Sequence, residues 1–271
     1  MNALQAIVEG VVQGLTEFLP ISSTAHLRIV PALCGWDDPG AAFTAVVQLG
    51  TMAAVLLYFR RDLWQIARAW IAGLRDPAER RTLDSRLGWY IVLGTVPIAV
   101  LGLAFKDPIE HQFRSLYLIG AALIVFGLLM AYVDARSKRA RDLDRLDARD
   151  GAFIGVAQAL ALVPGVSRSG ATISAGLWRG LDRPAAARYS FLLSVPAVVL
   201  SGLFELRHVG GEGGAPVGAT VLATLLAFVV GYASIAWLLR YLARHTLGVF
   251  VAYRVVLGAL VIALAAAGAI S

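Results

Sequence analysis

The sequence is poor in charged residues and in cysteine. Only 15% of its 271 residues are Asp, Glu, Lys or Arg, whereas soluble globular domains carry about 25%. The single cysteine, Cys34, excludes an internal disulfide, and no group of Cys or His residues has the spacing of a metal site. These absences exclude a disulfide-stabilised scaffold, a zinc or iron–sulfur protein and an ordinary soluble redox enzyme.

Hydrophobic residues dominate instead. They make up 58% of the chain, and the mean hydropathy of +0.72 indicates that lipid is the solvent. The 24 Lys and Arg residues exceed the 18 Asp and Glu residues by six. Because the basic residues lie in loops between long apolar runs, this excess indicates membrane topology and not nucleic-acid binding.

Six stretches are long and apolar enough to be membrane spans, since a helix needs about 20 residues to cross the hydrocarbon core. They are residues 41–59, 87–105, 116–133, 189–204, 217–239 and 247–271. Two further apolar regions, 3–34 and 151–178, are interrupted by prolines and charged residues. We predict that both are re-entrant helical hairpins whose breaks line a cavity.

The two halves of the chain resemble each other when one is shifted by 145 residues. The matched pairs are Gly10 and Gly155, Val11 and Val156, Gln13 and Gln158, Leu15 and Leu160, and Ser22 and Ser167. Each half is predicted to be a re-entrant hairpin followed by three spans, and an odd number of spans inverts the second half. The predicted fold is therefore an all-α integral membrane protein with an inverted-topology repeat. It forms a single membrane domain over 1–271, with repeat one at about 1–133, a cytoplasmic loop at about 134–150 and repeat two at about 151–271.

Loop charges predict the orientation. Segments 60–86 and 134–150 are rich in arginine, whereas 106–115 and 205–216 carry few basic residues. The positive-inside rule places the first two in the cytoplasm. The other basic segments, 179–188 and 240–246, fall on the same side. Both termini are then outside, hairpin one enters from outside and hairpin two from inside.

The first break carries a carboxylate, an amide, hydroxyls and an imidazole. Gln13 and Glu17 are four residues apart and share one helix face. Three consecutive hydroxyls follow at 22–24, and Ser23 lies three residues before His26, so a helix would let a hydroxyl face a base. An ionisable residue at membrane depth indicates a functional site.

The second break combines an arginine with hydroxyls at the predicted start of a helix. Pro164 and Gly165 halt the incoming helix, and a serine after them could cap the outgoing one. A helix N-terminus with an arginine suits an oxyanion such as phosphate. The predicted phosphate-binding residues are Ser167, Arg168, Ser169 and Thr172.

Each of these residues also has a purely structural interpretation, because hydroxyls and glycines in membrane helices often serve packing or capping. Arg254, Glu9 and Gln48 are predicted to lie at interfaces and outside the site, Arg254 by snorkelling. The concentration of polar chemistry in two helix breaks favours function.

At these breaks the sequence resembles the bacterial undecaprenyl-diphosphate phosphatase family, also called the bacitracin-resistance protein family. The first signature is met by Gln13 and Glu17 within GLTEFLPISSTAH, and the second by the segment from Pro164 to Thr172. The resemblance spans essentially the whole chain. It implies hydrolysis of a C55 polyprenyl diphosphate to the monophosphate carrier of peptidoglycan synthesis, in the bacterial plasma membrane, with the active site open to the outer face.

The resemblance also implies roles. Glu17 would be the metal-binding or catalytic carboxylate with Gln13 as partner, Ser23 the nucleophile with Ser22 beside it, and His26 the acid or base. The residues of the second break, Arg168 with Ser167, Ser169 and Thr172, would bind the diphosphate. The implied cofactor is Mg²⁺ or Ca²⁺. Many members have Glu where this chain has Gln13, which removes one carboxylate from any metal site.

Several alternatives stay open at the level of sequence. A serine nucleophile and a water activated by His26 and metal both fit the residues. Broken hairpins in an inverted repeat are also typical of transporters, so the chain could move a phosphorylated lipid or an anion without cleaving it. A non-catalytic scaffold is a third interpretation. Glycine-rich helix faces permit a homodimer.

Overall fold

The protein is built from helices. The computed structural model describes residues 1–110, 112–205 and 216–270, apart from the side chains at positions 41 and 110. Within these residues, twelve α-helices are joined by turns and short 3₁₀ segments. The helices are α1 Ala3–Thr16, α2 Ser23–Cys34, α3 Gly40–Tyr58, α4 Arg60–Gly73, α5 Leu83–Ala104, α6 Lys106–Glu110, α7 Leu116–Arg136, α8 Ala148–Ala159, α9 Arg168–Trp178, α10 Arg183–Glu205, α11 Val217–Leu242 and α12 Gly248–Ala266.

The predicted spans coincide with helices. In the described part of the chain, α5, α7, α10, α11 and α12 are long and apolar enough to cross a bilayer. The stretch predicted at 41–59 is α3, which meets α4 at a 78° bend and gives a sixth candidate if the pair is one span. The span predicted at 189–204 begins earlier, at Arg183. Most of the loop predicted at 205–216 lies outside the described residues.

Two helices lie in predicted loops: the five-residue α6 falls within 106–115, and the longer α4 within 60–86. The sequence predicted a loop over 60–86, yet residues Arg60–Gly73 form α4. This helix is amphipathic: Ile66 is buried, whereas Arg61 and Arg68 are exposed. Its low hydropathy hid it from a search for membrane spans, because only one narrow face is apolar.

Both predicted interruptions are present as gaps between paired helices. The first lies between α1 and α2, and the second between α8 and α9. Ser22 and Ser167, the last residues before α2 and α9, have φ values of 74° and 72°. Positive φ is uncommon for a residue other than glycine and is concentrated at functional sites. The two serines are also partners under the shift of 145 residues.

The first helix of each broken pair packs on a long helix from the other half of the chain. Helix α1 lies along α11, and α8 lies along α5. Glycines allow the close approach: a Cβ at Gly10 would lie 2.5 Å from the Ala223 carbonyl oxygen, and one at Gly155 would lie 2.5 Å from Gly94 Cα. The two halves also meet where α3 packs on α10 and α7 on α12. The breaks are therefore enclosed by helices of both halves.

Ion pairs gather the arginine-rich segments at one end of the molecule. They join α4, the end of α7 and the start of α8 to the region around the α9–α10 connection. The pairs are Arg188 with Asp62 (2.5 Å), Arg183 with Asp134 (2.7 Å) and Arg179 with Asp150 (2.7 Å). We call this the basic end.

Asp150 is the most enclosed carboxylate at the basic end, with a side chain that is 0% exposed. It accepts hydrogen bonds from Arg141, Arg179 and the Asp147 backbone, and it completes a capping box at the start of α8. Burial raises the pKa of the Asp150 carboxyl, but these hydrogen bonds outweigh that effect and leave the pKa below its usual value.

The opposite end holds both ends of the chain. Asp38 accepts from Arg114 at 2.9 Å and pairs with Arg28 at 3.3 Å, and Gln5 donates to the Asp37 carbonyl at 3.3 Å. Near the C-terminus, Ile270 packs in the cluster that contains residues of α2 and the start of α7. The N- and C-terminal segments therefore lie at the same end.

Candidate active site

A cavity of about 500 Å³ runs from the two breaks along α3, α5 and α10. Its walls are mainly apolar, and polar side chains line it at the breaks and again around Lys106, Arg114 and Glu205. At the breaks, which we call the polar end of the cavity, the polar lining residues are Glu17, Ser22, Ser23, Thr24, Ser167 and Arg168; Gln48 of α3 lines the cavity as well. An apolar pocket with a few convergent polar groups is the usual form of a ligand site.

Glu17 is the hub of the polar end. Its Oε2 accepts from the Ser23 hydroxyl at 2.6 Å and from Gln13 Nε2 at 2.8 Å. Its Oε1 accepts from an Arg168 terminal nitrogen at 2.5 Å. The carboxylate is only 4% exposed. The structure thus brings together four of the predicted site residues: Gln13, Glu17 and Ser23 from the first break and Arg168 from the second.

Two helix N-termini converge on the same cavity. Ser23 is the first residue of α2 and Arg168 the first residue of α9, and both line the cavity. Each helix end contributes a partial positive charge of about half an elementary charge. Ser167 caps α9 by accepting from Gly170 N at 3.1 Å. The polar end is consequently suited to an anion.

The two breaks are bonded directly to each other. The Ser22 hydroxyl oxygen accepts from Gly165 N at 3.1 Å, and the Ser169 hydroxyl donates to the Leu19 carbonyl at 3.1 Å. Backbone groups freed by the helix interruptions are satisfied in this way, as buried backbone requires. The bonds also fix the strained Ser22 backbone.

The prediction for Arg254 was wrong. Its side chain is 0% exposed and reaches between the two breaks, so it does not snorkel to the surface. The guanidinium donates to the Pro20 carbonyl at 3.0 Å, the Gly165 carbonyl at 2.6 Å and the Val166 carbonyl at 3.1 Å, and Nε donates to the Leu123 carbonyl at 3.3 Å. The position of Arg254 near one end of its span suggested snorkelling. The carbonyl groups that it binds belong to segments far away in the sequence, so the sequence pattern did not reveal them.

His26 is placed differently from the predicted arrangement. Its Nδ1 lies 2.7 Å from the Ser22 carbonyl oxygen and its Nε2 lies 2.7 Å from the Tyr253 hydroxyl, with the two rings stacked. The residues are helical as expected, yet the hydroxyl of Ser23 bonds to Glu17 instead. The imidazole therefore orients the start of α2, and the carboxylate occupies the position expected for the base.

The predicted phosphate-binding hydroxyls divide into two groups. Ser167 lines the cavity with Arg168. Ser169 bonds to the backbone of the first break, and Thr172 bonds to the Arg168 carbonyl at 2.7 Å and the Ser190 hydroxyl at 2.5 Å. Ser169 and Thr172 therefore support the first turn of α9, which carries Arg168.

Some site residues escaped the sequence prediction. Gln48, predicted to lie outside the site, lines the cavity, and Lys106 and Arg114 line it as well. Glu9 was also predicted at an interface, but its side chain is fully buried. An isolated polar residue in an apolar helix was the only available signal, and it does not reveal which way the side chain faces.

A sequence model of the family described as bacitracin resistance protein BacA matches residues 6–260. The chain belongs to this family. The resemblance found in the two break signatures is therefore confirmed.

Curated relatives agree with the family along the full chain. An undecaprenyl-diphosphatase of Nocardioides sp. (strain ATCC BAA-499 / JS614) is 55% identical, with 100% of this chain and 99% of the relative covered. The undecaprenyl-diphosphatase of Thermobifida fusca is 52% identical over 100% of this chain and 93% of the relative. That of Myxococcus xanthus is 53% identical, with coverage of 100% and 92%.

The capacity of the site for a metal ion rests on Glu17. Within the described ranges, no group of three or more His, Cys, Asp or Glu residues is arranged to hold a metal. An ionised carboxylate offers about four lone-pair positions, and Gln13, Ser23 and Arg168 use three of those of Glu17. One position on Oε1 is left, which fits a hard cation whose other ligands are phosphate oxygens and water.

Proposed function

We propose that this protein hydrolyses undecaprenyl diphosphate to undecaprenyl phosphate and inorganic phosphate, and so recycles the lipid carrier of peptidoglycan synthesis. The observation that carries the proposal is the 2.6 Å hydrogen bond from the Ser23 hydroxyl to Glu17, placed beside Arg168 in a membrane-embedded cavity. The names of the full-length relatives support the same activity. Physiologically, it would contribute to bacitracin resistance.

In the proposed reaction Ser23 is the nucleophile and Glu17 its general base. Glu17 takes the Ser23 proton as Oγ attacks the terminal phosphorus, and the bond from that phosphorus to the bridging oxygen breaks. Undecaprenyl phosphate leaves with the bridging oxygen. Glu17 passes the proton it took from Ser23 to the departing phosphate and is ionised again. Water then attacks the phosphoserine and gives a proton to Glu17 as the bond from phosphorus to Ser23 Oγ breaks. Glu17 returns that proton to Oγ, which releases inorganic phosphate and restores the Ser23 hydroxyl. The short Ser23–Glu17 contact favours this route over direct attack by water.

The remaining charges stabilise the diphosphate and its transition state. Phosphoryl transfer is catalysed mainly by positioning and by neutralising negative charge. Arg168 and the N-termini of α2 and α9 provide positive potential on two sides of the cavity. Binding of a phosphate to Arg168 would weaken its pairing with Glu17 and make that carboxylate a stronger base.

The shape of the cavity suits a lipid with a charged head. Between the breaks and the end lined by Lys106 and Arg114, the walls include the apolar residues Ile98 and Leu103 of α5 and Val198 and Leu200 of α10. We place the first prenyl units here. The rest of the C55 chain is far larger than the cavity and would lie between the helices in lipid.

A divalent cation, Mg²⁺ or Ca²⁺, is proposed to bind together with the substrate. Glu17 Oε1 would be its protein ligand, and the diphosphate would supply further oxygens. When bound, such an ion supplies charge neutralisation at the phosphate groups. Because residue 13 is Gln and not Glu, the site offers the metal one carboxylate fewer. The affinity for the metal would therefore depend on oxygens supplied by the substrate.

An inverted repeat with two re-entrant hairpins is the proposed membrane architecture. It is supported by the equivalent backbone at Ser22 and Ser167 and by the reciprocal packing of α1 on α11 and α8 on α5. Neither broken pair supplies an uninterrupted helix of span length. Breaks that line a cavity are tolerated at membrane depth.

We propose that the basic end faces the cytoplasm of a bacterium and that both termini and the cavity entrance face outside. The arginine-rich loops support this orientation. The cavity extends from the breaks toward Lys106 and Arg114, which belong to the segment at the opposite end. Substrate would thus be dephosphorylated at the outer leaflet.

Phosphate release from undecaprenyl diphosphate by the purified protein in detergent tests the function. We expect release by the wild type and a loss of about 10² to 10⁴-fold in kcat for Glu17→Gln and at least as much for Ser23→Ala. Ser201→Ala is the matched control, because Ser201 lines the same cavity but donates to its own helix backbone. A radiolabelled terminal phosphate should label Ser23.

Full activity of a folded Ser23→Ala protein would refute the serine mechanism and favour an activated water. Absence of release by folded wild type, with transport of labelled lipid across vesicles, would favour the transporter. A non-catalytic scaffold predicts that replacing Glu17 or Arg168 impairs folding and that the wild type releases no phosphate. The homodimer stays a prediction, which light scattering of the detergent complex measures.

A further inference from the structure

Helix α1 and Glu17, the residue that caps its C-terminal end, carry a row of buried polar side chains. Gln5, Glu9, Gln13 and Glu17 are spaced by four residues and therefore share one helix face. They are 6%, 0%, 0% and 7% exposed, respectively. The row begins at the Asp37 carbonyl and ends at the proposed general base. The mechanism above uses only its last two members.

Glu9 and Gln13 hold three buried acceptor atoms without a donor. Both carboxylate oxygens of Glu9 lack a hydrogen-bond partner among the described residues, and so does Gln13 Oε1. Gln13 Nε2, in contrast, donates to Glu17. A buried acceptor without a donor is costly, and an ionised carboxylate without one is the most costly case.

Among the described residues, the helices packed on α1 next to Glu9 offer no cationic partner to its carboxyl group. Helix α1 packs on α3 and α11, and the adjacent apolar cluster contains Ala6, Phe43, Val47, Ala223 and Ala227. Segments 40–57 of α3 and 217–231 of α11 contain no ionisable residue.

The nearby charged groups do not offset the charge either. Asp38 adds negative potential at Glu9. On α2, His26 is bonded to Tyr253, and Arg28 is paired with Asp38. A proton is therefore the simplest species that neutralises Glu9 and also supplies a missing donor.

We propose that Glu9 is a neutral carboxylic acid that donates its proton to Gln13 Oε1, directly or through one buried water, and thereby fixes the Gln13 amide with Nε2 directed at Glu17. Glu9 is a positioning residue in this scheme. The positioning role rests on the proposed function of Glu17 as base, whereas the protonation of Glu9 does not.

The chemistry of the amide makes the direction of this bond important. An amide presents an acceptor on one side and donors on the other. If Glu9 were ionised, it would attract the Gln13 NH₂ group and turn the amide oxygen toward Glu17. The carboxylate of Glu17 would then lose a donor and face a repulsive oxygen instead.

Infrared difference spectroscopy of the full-length protein in detergent tests the protonation. We expect a carbonyl stretching band of a protonated carboxylic acid at neutral pH in the wild type and its loss in Glu9→Gln. Glu79→Gln is the matched control, because Glu79 is exposed at the basic end and its replacement should leave the band unchanged. A wild type that lacks the band, or a band that persists in Glu9→Gln, overturns the proposal.

Phosphate release tests the positioning role. Glu9→Gln keeps a donor for Gln13 Oε1, so its kcat should remain within about twofold of wild type. Glu9→Leu removes that donor and should lower kcat about three- to tenfold with little change in KM, as expected for one hydrogen bond. Equal kcat for wild type and a folded Glu9→Leu overturns the positioning role.

If Glu9→Leu does not fold, the kcat of Glu9→Gln tests the positioning role instead. A loss of kcat in Glu9→Gln as large as that in Glu17→Gln overturns the positioning role. Failure of the wild type to release phosphate refutes the proposed function and the positioning role together. The infrared band still decides the protonation of Glu9 in that case, so the two failures are distinguishable.

Discussion

Replacing Arg254 by lysine should destabilise the junction of the two breaks although it keeps the charge. The guanidinium makes four hydrogen bonds to carbonyls of three segments, and a lysine ammonium at the same place has three donors radiating from one atom. It can reach about two of these carbonyls. The substitution is therefore not conservative.

The expected cost follows from the bonds lost. A hydrogen bond to a charged donor contributes about 1.5–3 kcal/mol, so two lost bonds amount to about 3–6 kcal/mol before relaxation, and we expect a net loss of about 3 kcal/mol. For a chain of this size this corresponds to a decrease of about 6–12 °C in Tm. Because Pro20 and Gly165 neighbour the proposed catalytic residues, kcat should also fall about tenfold or more.

Thermal unfolding in detergent, followed by intrinsic fluorescence, measures the first effect, and phosphate release at a permissive temperature measures the second. Arg240→Lys is the control, because Arg240 is exposed at the end of α11. A lysine variant of Arg254 with a Tm within about 2 °C of wild type and an unchanged kcat would refute the argument that the guanidinium fork holds the breaks together.

Three further outcomes are expected. Asp150→Asn leaves Arg141 and Arg179 without their buried partner and should lower the free energy of unfolding by about 3–5 kcal/mol. The pKa of Asp150 is lowered in the folded state. The difference in stability from wild type should therefore be complete above about pH 4 and disappear as the pH falls through the lowered pKa. Gly165→Ala should lower Tm, because φ is +99° and the new Cβ would lie 2.7 Å from a carbonyl oxygen. Gly268→Ala should lower Tm less, because φ is +69° there but the space around the new Cβ is open. Equal decreases in Tm for the two variants would contradict this prediction. Removal of divalent cations with EDTA should abolish phosphate release and added Mg²⁺ or Ca²⁺ should restore it, so undiminished release in EDTA would exclude the proposed metal.

Much of the architecture was predictable because it depends on local properties of the chain. Apolar runs of span length become helices wherever backbone hydrogen bonds have no other partner, and α5, α7, α10, α11 and α12 confirm this. Proline and glycine within apolar helices identified both breaks. Helix α4 was missed because its apolar face is narrow, and membrane hydropathy averages over the whole helix.

The sequence predicted candidate site residues, but it did not predict how their side chains pair in the structure. Glu17, Ser23 and Arg168 stood out because polar and ionisable groups are expensive at membrane depth. Which group serves Ser23 depends on side-chain direction, and the structure directs Glu17 to it and His26 to Tyr253. Spacing of three residues made His26 a candidate, but spacing alone does not exclude a closer group across the break.

The sequence by itself determined the solvent, the helices, the breaks and the family of this protein, because each of these depends on residue type and short-range order along the chain. Only the tertiary structure decided that Arg254 joins the breaks and that Glu9 is enclosed without a hydrogen-bond donor from the part of the chain that the structure describes. Both facts depend on contacts between segments far apart in the chain. A single charged residue in an apolar helix has the same local pattern whether it faces lipid, an interface or the centre of the fold.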